Sequence, residues 1–174
     1  QAALDASLDG YTIEVSGRAD PYVENLSITK GVTIQAVGLG EVVIQAPSGT
    51  AITIDGLGGA DVTLKGITVI GGTGAGYSST GIRVEYGAEV GTLTLDGVTV
   101  RDTGGVGLFV YGDNENGSWP KADTLANLVI TQSIFDNNGF NGSNGGGHIK
   151  LFGFTGNATI TDVTIDGGTG GIGA

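Results

Sequence analysis

Aliphatic and polar residues alternate along this chain in short runs, each broken by a glycine or another turn residue. Val62-Thr63-Leu64-Lys65, a corner at Gly66 and Ile67-Thr68-Val69 make one such unit. The unit returns as Leu93-Thr94-Leu95-Asp96, Gly97 and Val98-Thr99-Val100. It returns again as Leu128-Val129-Ile130-Thr131 before Ile134-Phe135, and as Ala158-Thr159-Ile160-Thr161 before Val163-Thr164-Ile165. A period of two is that of a half-buried strand. A strand-and-turn unit recurring about every 30 residues is the mark of a solenoid, whose units bury their apolar faces by stacking on one another.

A further strand closes each coil. Ile52-Thr53-Ile54-Asp55, Ile82-Arg83-Val84-Glu85, Leu108-Phe109-Val110-Tyr111 and Ile149-Lys150-Leu151-Phe152 align, with first and third members aliphatic and expected inside. The second and fourth members then face solvent. At the other end, Gln1 to Leu8 reads as a short helix with Ala2, Ala3, Leu4, Ala6 and Leu8 on one apolar face, stopped by Asp9-Gly10. Its expected task is to cap the open end of the stack. The domain expectation is a single β-helix over 1–174, with a helical cap at 1–10 and about six coils over 11–174. Ile172 would reopen the third strand, so the last coil is expected to be open. A chain ending mid-coil reads as part of a longer one, able to associate end to end through that coil.

Composition narrows the class. The chain has 174 residues with 35 Gly, 3 Pro and no Cys or Met, and its hydrophobic share of 39% is that of a folded protein. Glycine at this density, without a G-X-Y period, belongs in corners between strands. A net charge of -11 repels phosphate backbones and argues against nucleic acid as a partner. No apolar run approaches the roughly 20 residues of a membrane helix, so membrane insertion is not expected. Acidity and the lack of cysteine fit a secreted or cell-surface location.

The opening residues carry a resemblance. Gln1-Ala2-Ala3-Leu4-Asp5-Ala6, Asp9-Gly10-Tyr11-Thr12-Ile13-Glu14-Val15 and Glu24 to Gln35 resemble the first coil of right-handed parallel β-helix proteins, the pectate-lyase-like folds of polysaccharide lyases, mannuronan epimerases and bacterial surface proteins. Asn127 to Gly139 resembles the generic coil repeat of those folds, with Ser133 and Phe135 inward and Asn137-Asn138-Gly139 at a turn. The resemblance implies an all-β, right-handed solenoid with three parallel sheets. It covers nearly the whole chain and leaves activity open, because the same coil serves enzymes and adhesins alike.

The outward face of the third strand holds the first candidates. Arg83, Phe109 and Lys150 fall in one row, Glu85, Tyr111 and Phe152 in the next, and His148 two positions before Lys150. In proteins of the resembled fold, aromatics stack on sugar rings and basic groups hold uronate carboxylates. A lyase or epimerase also needs a base, and His148, Tyr111, Lys150 and Arg83 are the eligible types. The plainer account is a solvent-facing ladder. The epimerase signature Asp-Pro-His-Glu does not occur, since Asp20-Pro21 is followed by Tyr22.

Two loops are long. Gly112 to Ala126 carries Trp119, a further candidate for sugar contact, and Asp136 to Gly147 is rich in Asn and Gly. In the first loop Asp113, Glu115 and Asn116 supply oxygen ligands suited to Ca²⁺, although Gly117 stands where an EF-hand would place a ligand. An acidic turn is the alternative. The alternating threonines form no ice-binding plane, because Arg83, Glu85, Phe109 and Lys150 interrupt the face. Gly71 to Gly76 lacks the Lys-Ser/Thr ending of a phosphate loop. The functional expectation is a structural or adhesive module of a larger secreted or cell-surface bacterial protein, with weak glycan binding on the third-strand face. The alternative is the N-terminal part of a lyase or epimerase acting on acidic polysaccharide.

Overall fold

The computed structural model describes residues 1–112, 124–141 and 146–168, and the backbone of 172–173. After a helix α1 (Ala2–Ala6) the chain is all strand and turn. It winds as a right-handed parallel β-helix with three six-stranded sheets. The first sheet holds β1 (Tyr11–Ser16), β4 (Val32–Val37), β7 (Val62–Lys65), β10 (Val90–Asp96), β13 (Leu125–Thr131) and β16 (Asn157–Thr161). The second holds β2 (Tyr22–Val23), β5 (Val43–Gln45), β8 (Thr68–Ile70), β11 (Thr99–Arg101), β14 (Ile134–Asp136) and β17 (Thr164–Asp166). The third holds β3 (Leu26–Ile28), β6 (Ile52–Ile54), β9 (Ile82–Val84), β12 (Val106–Tyr111), β15 (Gly147–Phe152) and β18 (Ile172–Gly173). Every strand pairs in parallel with its counterpart one coil away, as far as pairs are formed.

Alternation fixes the register. Ile52 pairs with Ile82, Ile82 with Leu108 and Leu108 with Ile149, and all four side chains are buried. Val32, Val62, Leu93 and Leu128 form the matching ladder of the first sheet, and Ile44, Val69, Val100 and Phe135 that of the second. Like stacks on like because a one-residue slip would turn each aliphatic row to solvent.

Successive coils of the first sheet advance by 21, 30, 31 and 35 residues, then by 30. The differences are taken up in turns. The bend from the first sheet to the second is shared, with Gly66, Gly97, Gln132 and Asp162 all left-handed at φ of 64°, 62°, 49° and 54°. Their amides continue the ladder: Gly66 donates to Asp96 O, Gly97 to Thr131 O and Gln132 to Thr161 O. Glycine at the first two positions answers the steric cost of that conformation. Gly105 answers a different need, since a Cβ there would stand 1.9 Å from Gly76 O in the coil before.

The N-terminal cap is smaller than the apolar pattern suggests. The helix spans five residues, little more than one turn, so only Leu4 reaches the core, whereas Ala2, Ala3 and Ala6 are exposed and Leu8 is 62% exposed. Its last carbonyls are satisfied by one side chain. Lys30 Nζ donates to Leu4 O, Asp5 O and Ser7 O at 3.2, 3.0 and 2.7 Å, a cation where the helix dipole is negative. At the far end Ala158 and Ile165, on the inward rows, are exposed.

Candidate functional site

The third sheet turns its second and fourth strand positions outward, and the register places them as a grid. Phe109 lies between Arg83 of β9 and Lys150 of β15, and Tyr111 beside Phe152. Glu85 follows Val84 directly, at the end of β9. The sequence rows are therefore the structural rows, because period-two alternation and parallel pairing leave no freedom once the inward ladder is set.

Tyr77 changes the character of this face. A single 3-10 turn, Gly76–Ser78, lifts it out of the loop between β8 and β9 and lays its ring on Phe109. The ring centroids are 4.7 Å apart with planes 20° from parallel. Phe109 also stacks on Tyr111 at 5.6 Å, and Tyr111 meets Phe152 and Tyr86, each at 6.1 Å in a tilted arrangement. Phe109, expected at the surface, is consequently only 4% exposed. Tyr77, Tyr111 and Phe152, with Arg83, line a recess of about 330 Å³ above it.

Two cations and one carboxylate surround the recess. The Arg83 guanidinium lies 5.7 Å from the ring centroids of both Phe109 and Tyr111. Its Nε is 2.9 Å from Glu85 Oε1, yet the N–H makes no hydrogen bond, so the contact is ionic and poorly aligned. One other nitrogen donates to Tyr77 O. Lys150 Nζ donates to the Tyr77 hydroxyl and sits 4.8 Å from that ring's centroid. Among the described residues Lys150 has no carboxylate partner. A guanidinium already occupies the ring faces, so a cationic ligand would meet repulsion there. An uncharged or anionic ligand with a flat apolar face would not.

His148 does not belong to this surface. Its side chain is 1% exposed at the corner where β15 begins. Nε2 lies 2.8 Å from Gly167 O, a carbonyl, so Nε2 carries the proton and Nδ1 faces the Asn138 amide at 3.5 Å. Strand parity had pointed it outward, but the turns of two neighbouring coils close over it. Trp119, Asp113, Glu115 and Asn116 lie outside the described residues. Among the described residues, no three His, Cys, Asp or Glu side chains gather as a metal site would require, and no helix is long and apolar enough to cross a membrane.

Sequence reasoning missed Tyr77 and Tyr86. Tyr77 is the lone aromatic of a Gly- and Ser-rich loop, which was the available signal; Tyr86 directly follows the outward Glu85. Comparison with family models, with curated proteins and with solved structures finds no match for this chain. The fold and the site stand on the geometry alone.

Proposed function

We propose that this protein is a β-helical scaffold that binds a glycan on the outward face of its third sheet, as an adhesive module of a secreted or cell-surface protein. The observation that carries the reading is the aromatic recess formed by Tyr77, Phe109, Tyr111 and Phe152. In the two earlier strands β3 and β6 the outward middle positions are the small polar Ser27 and Thr53. Aromatic rings give large apolar area at low entropic cost, and tyrosine hydroxyls add polar reach at the rim. Pyranose rings offer a matching apolar face edged by hydroxyls. The long flat face of a right-handed three-sheet β-helix supports this at the level of the fold. The polysaccharide-modifying alternative loses its imidazole, because the His148 ring is enclosed.

Affinity electrophoresis through alginate, pectate and neutral polysaccharides tests the reading. The wild-type chain should be retarded by at least one polymer. Tyr111→Ala should weaken that retardation by roughly tenfold, equivalent to about 1.4 kcal/mol. Equal mobility of both proteins in every gel would refute it.

A further inference from the structure

A second recess lies at the corner that joins the second sheet to the third, and the aromatic surface does not include it. Its volume is about 450 Å³, within the range of roughly 300–1,000 Å³ typical of small-molecule sites. Ile70, Gly71 and Gly72 line it, and Gln45, Thr73, Asp102, Asn137 and Phe140 bring the chemistry. These residues come from four successive coils, brought together by the register Gln45 to Ile70 to Arg101 to Asp136.

The polar groups are held in place before any ligand arrives. Asp102 and Asn137 are both left-handed, at φ of 54° and 48°, and sit one coil apart. Asn137 Nδ2 donates to Asp102 Oδ1 at 2.8 Å, and Arg101 donates to Oδ2 at 2.7 Å. The Asn137 bond is the first cause holding the Asp102 carboxyl below its usual range, with Arg101 adding to it against some desolvation. Among the described residues each carboxylate oxygen accepts one hydrogen bond, which leaves it a lone pair. The Gln45 amide and Thr73 hydroxyl have no partner among the described residues. Phe140, 39% exposed, is fixed by its turn: Gly139 N donates to Thr103 O, Asn141 N to Gly104 O, and the Asn141 amide to Thr73 O.

We propose that this corner recess is a separate carbohydrate site that takes a neutral sugar unit, with Phe140 against its apolar face and Asp102, Asn137 and Gln45 bonding its hydroxyls. The paired Asp102 and Arg101 leave little net charge to draw an ion. An anion would face the carboxylate and the acidic chain as a whole. A cation would compete with a guanidinium already 2.7 Å away. Vicinal hydroxyls, which both donate and accept, satisfy a fixed carboxylate and two amides together. The loop between β8 and β9 gives Thr73 to this recess and Tyr77 to the aromatic one, so one segment borders both.

Saturation-transfer NMR and calorimetry of the full chain with cellotriose, maltotriose and xylotriose test the proposal. At least one should bind in the millimolar range. Phe140→Ala and Gln45→Ala should weaken that binding five- to tenfold. Asp102→Asn is the third variant, since asparagine tolerates the left-handed backbone; it should weaken binding while the chain stays folded, read from an unchanged far-UV circular-dichroism spectrum. No binding of any neutral trisaccharide at about 10 mM, a concentration at the weak end of specific recognition, overturns the proposal. Binding abolished by Tyr111→Ala and untouched by Phe140→Ala also overturns it, and assigns those sugars to the aromatic surface instead.

Discussion

Gln132 occupies the bend that Gly66 and Gly97 occupy in the two preceding coils, with the same left-handed φ. It is the least suited residue on that ladder, because a Cβ with a long unbranched chain gains no local hydrogen bond there as Asp162 can. Gln132→Gly should raise unfolding free energy by about 0.5–1 kcal/mol, read from a shift in urea midpoint at constant slope. Phe135 makes the opposite case. Among the described residues it is the largest fully buried side chain, on the inward ladder between Val100 and Ile165. Phe135→Ala should cost roughly 3–5 kcal/mol, and a loss below 1 kcal/mol would show that the interior collapses around the gap. Both residues were legible in sequence in different degrees. Phe135 followed from the resemblance of its coil to the generic β-helix repeat, whereas Gln132 stands in a bend that two glycines announce and a glutamine conceals.

Elements explain why the third face could be read and the site on it only in part. The rows of Arg83, Phe109 and Lys150 and of Tyr111 and Phe152 are consequences of strand period and coil register, both local and repetitive. Tyr77 reaches Phe109 from a turn, and His148 is covered by turns of adjacent coils. Turns carry no period, so their side chains land where coil lengths send them. The cap was overread for a related reason: five helical residues cannot present an eight-residue apolar face. At this scale Gly105→Ala is the informative change. Gly76 O stands where the new Cβ would be, and it is backbone that cannot rotate away. The substitution should destabilise by more than 2 kcal/mol and raise hydrogen exchange in β8, β9 and β12 together.

For the whole molecule, charge sets the conditions of use. A net -11 on 174 residues is self-repelling, so raising salt from 20 to 200 mM should raise the melting temperature by a few degrees, through screening over about 10 Å. Acid acts through particular carboxylates. Asp96, hydrogen-bonded by Lys65, and Asp102, hydrogen-bonded by Asn137, both titrate below their ordinary value of 3.8 in the folded state. Their contribution is therefore complete above that value and is lost as pH falls through the lower folded ones. Asp102→Asn should lower stability near neutrality, where that contribution is complete, and should flatten the profile below pH 4, measured by denaturant titration at successive pH values.

The coil register also determines how the molecule answers a mechanical load. Among the described residues no strand pairs with its sequence neighbour; each is zipped to one 21 to 41 residues away. A tether drawing on the last coil meets one edge at a time, so its bonds yield in succession rather than in shear. Each released coil of 30 residues frees a contour of about 100 Å at roughly 3.3–3.6 Å per residue. The force trace should be a shallow staircase with steps of about that length, and the aromatic patch, which spans β9, β12 and β15, should come apart well before β1 and β4 do.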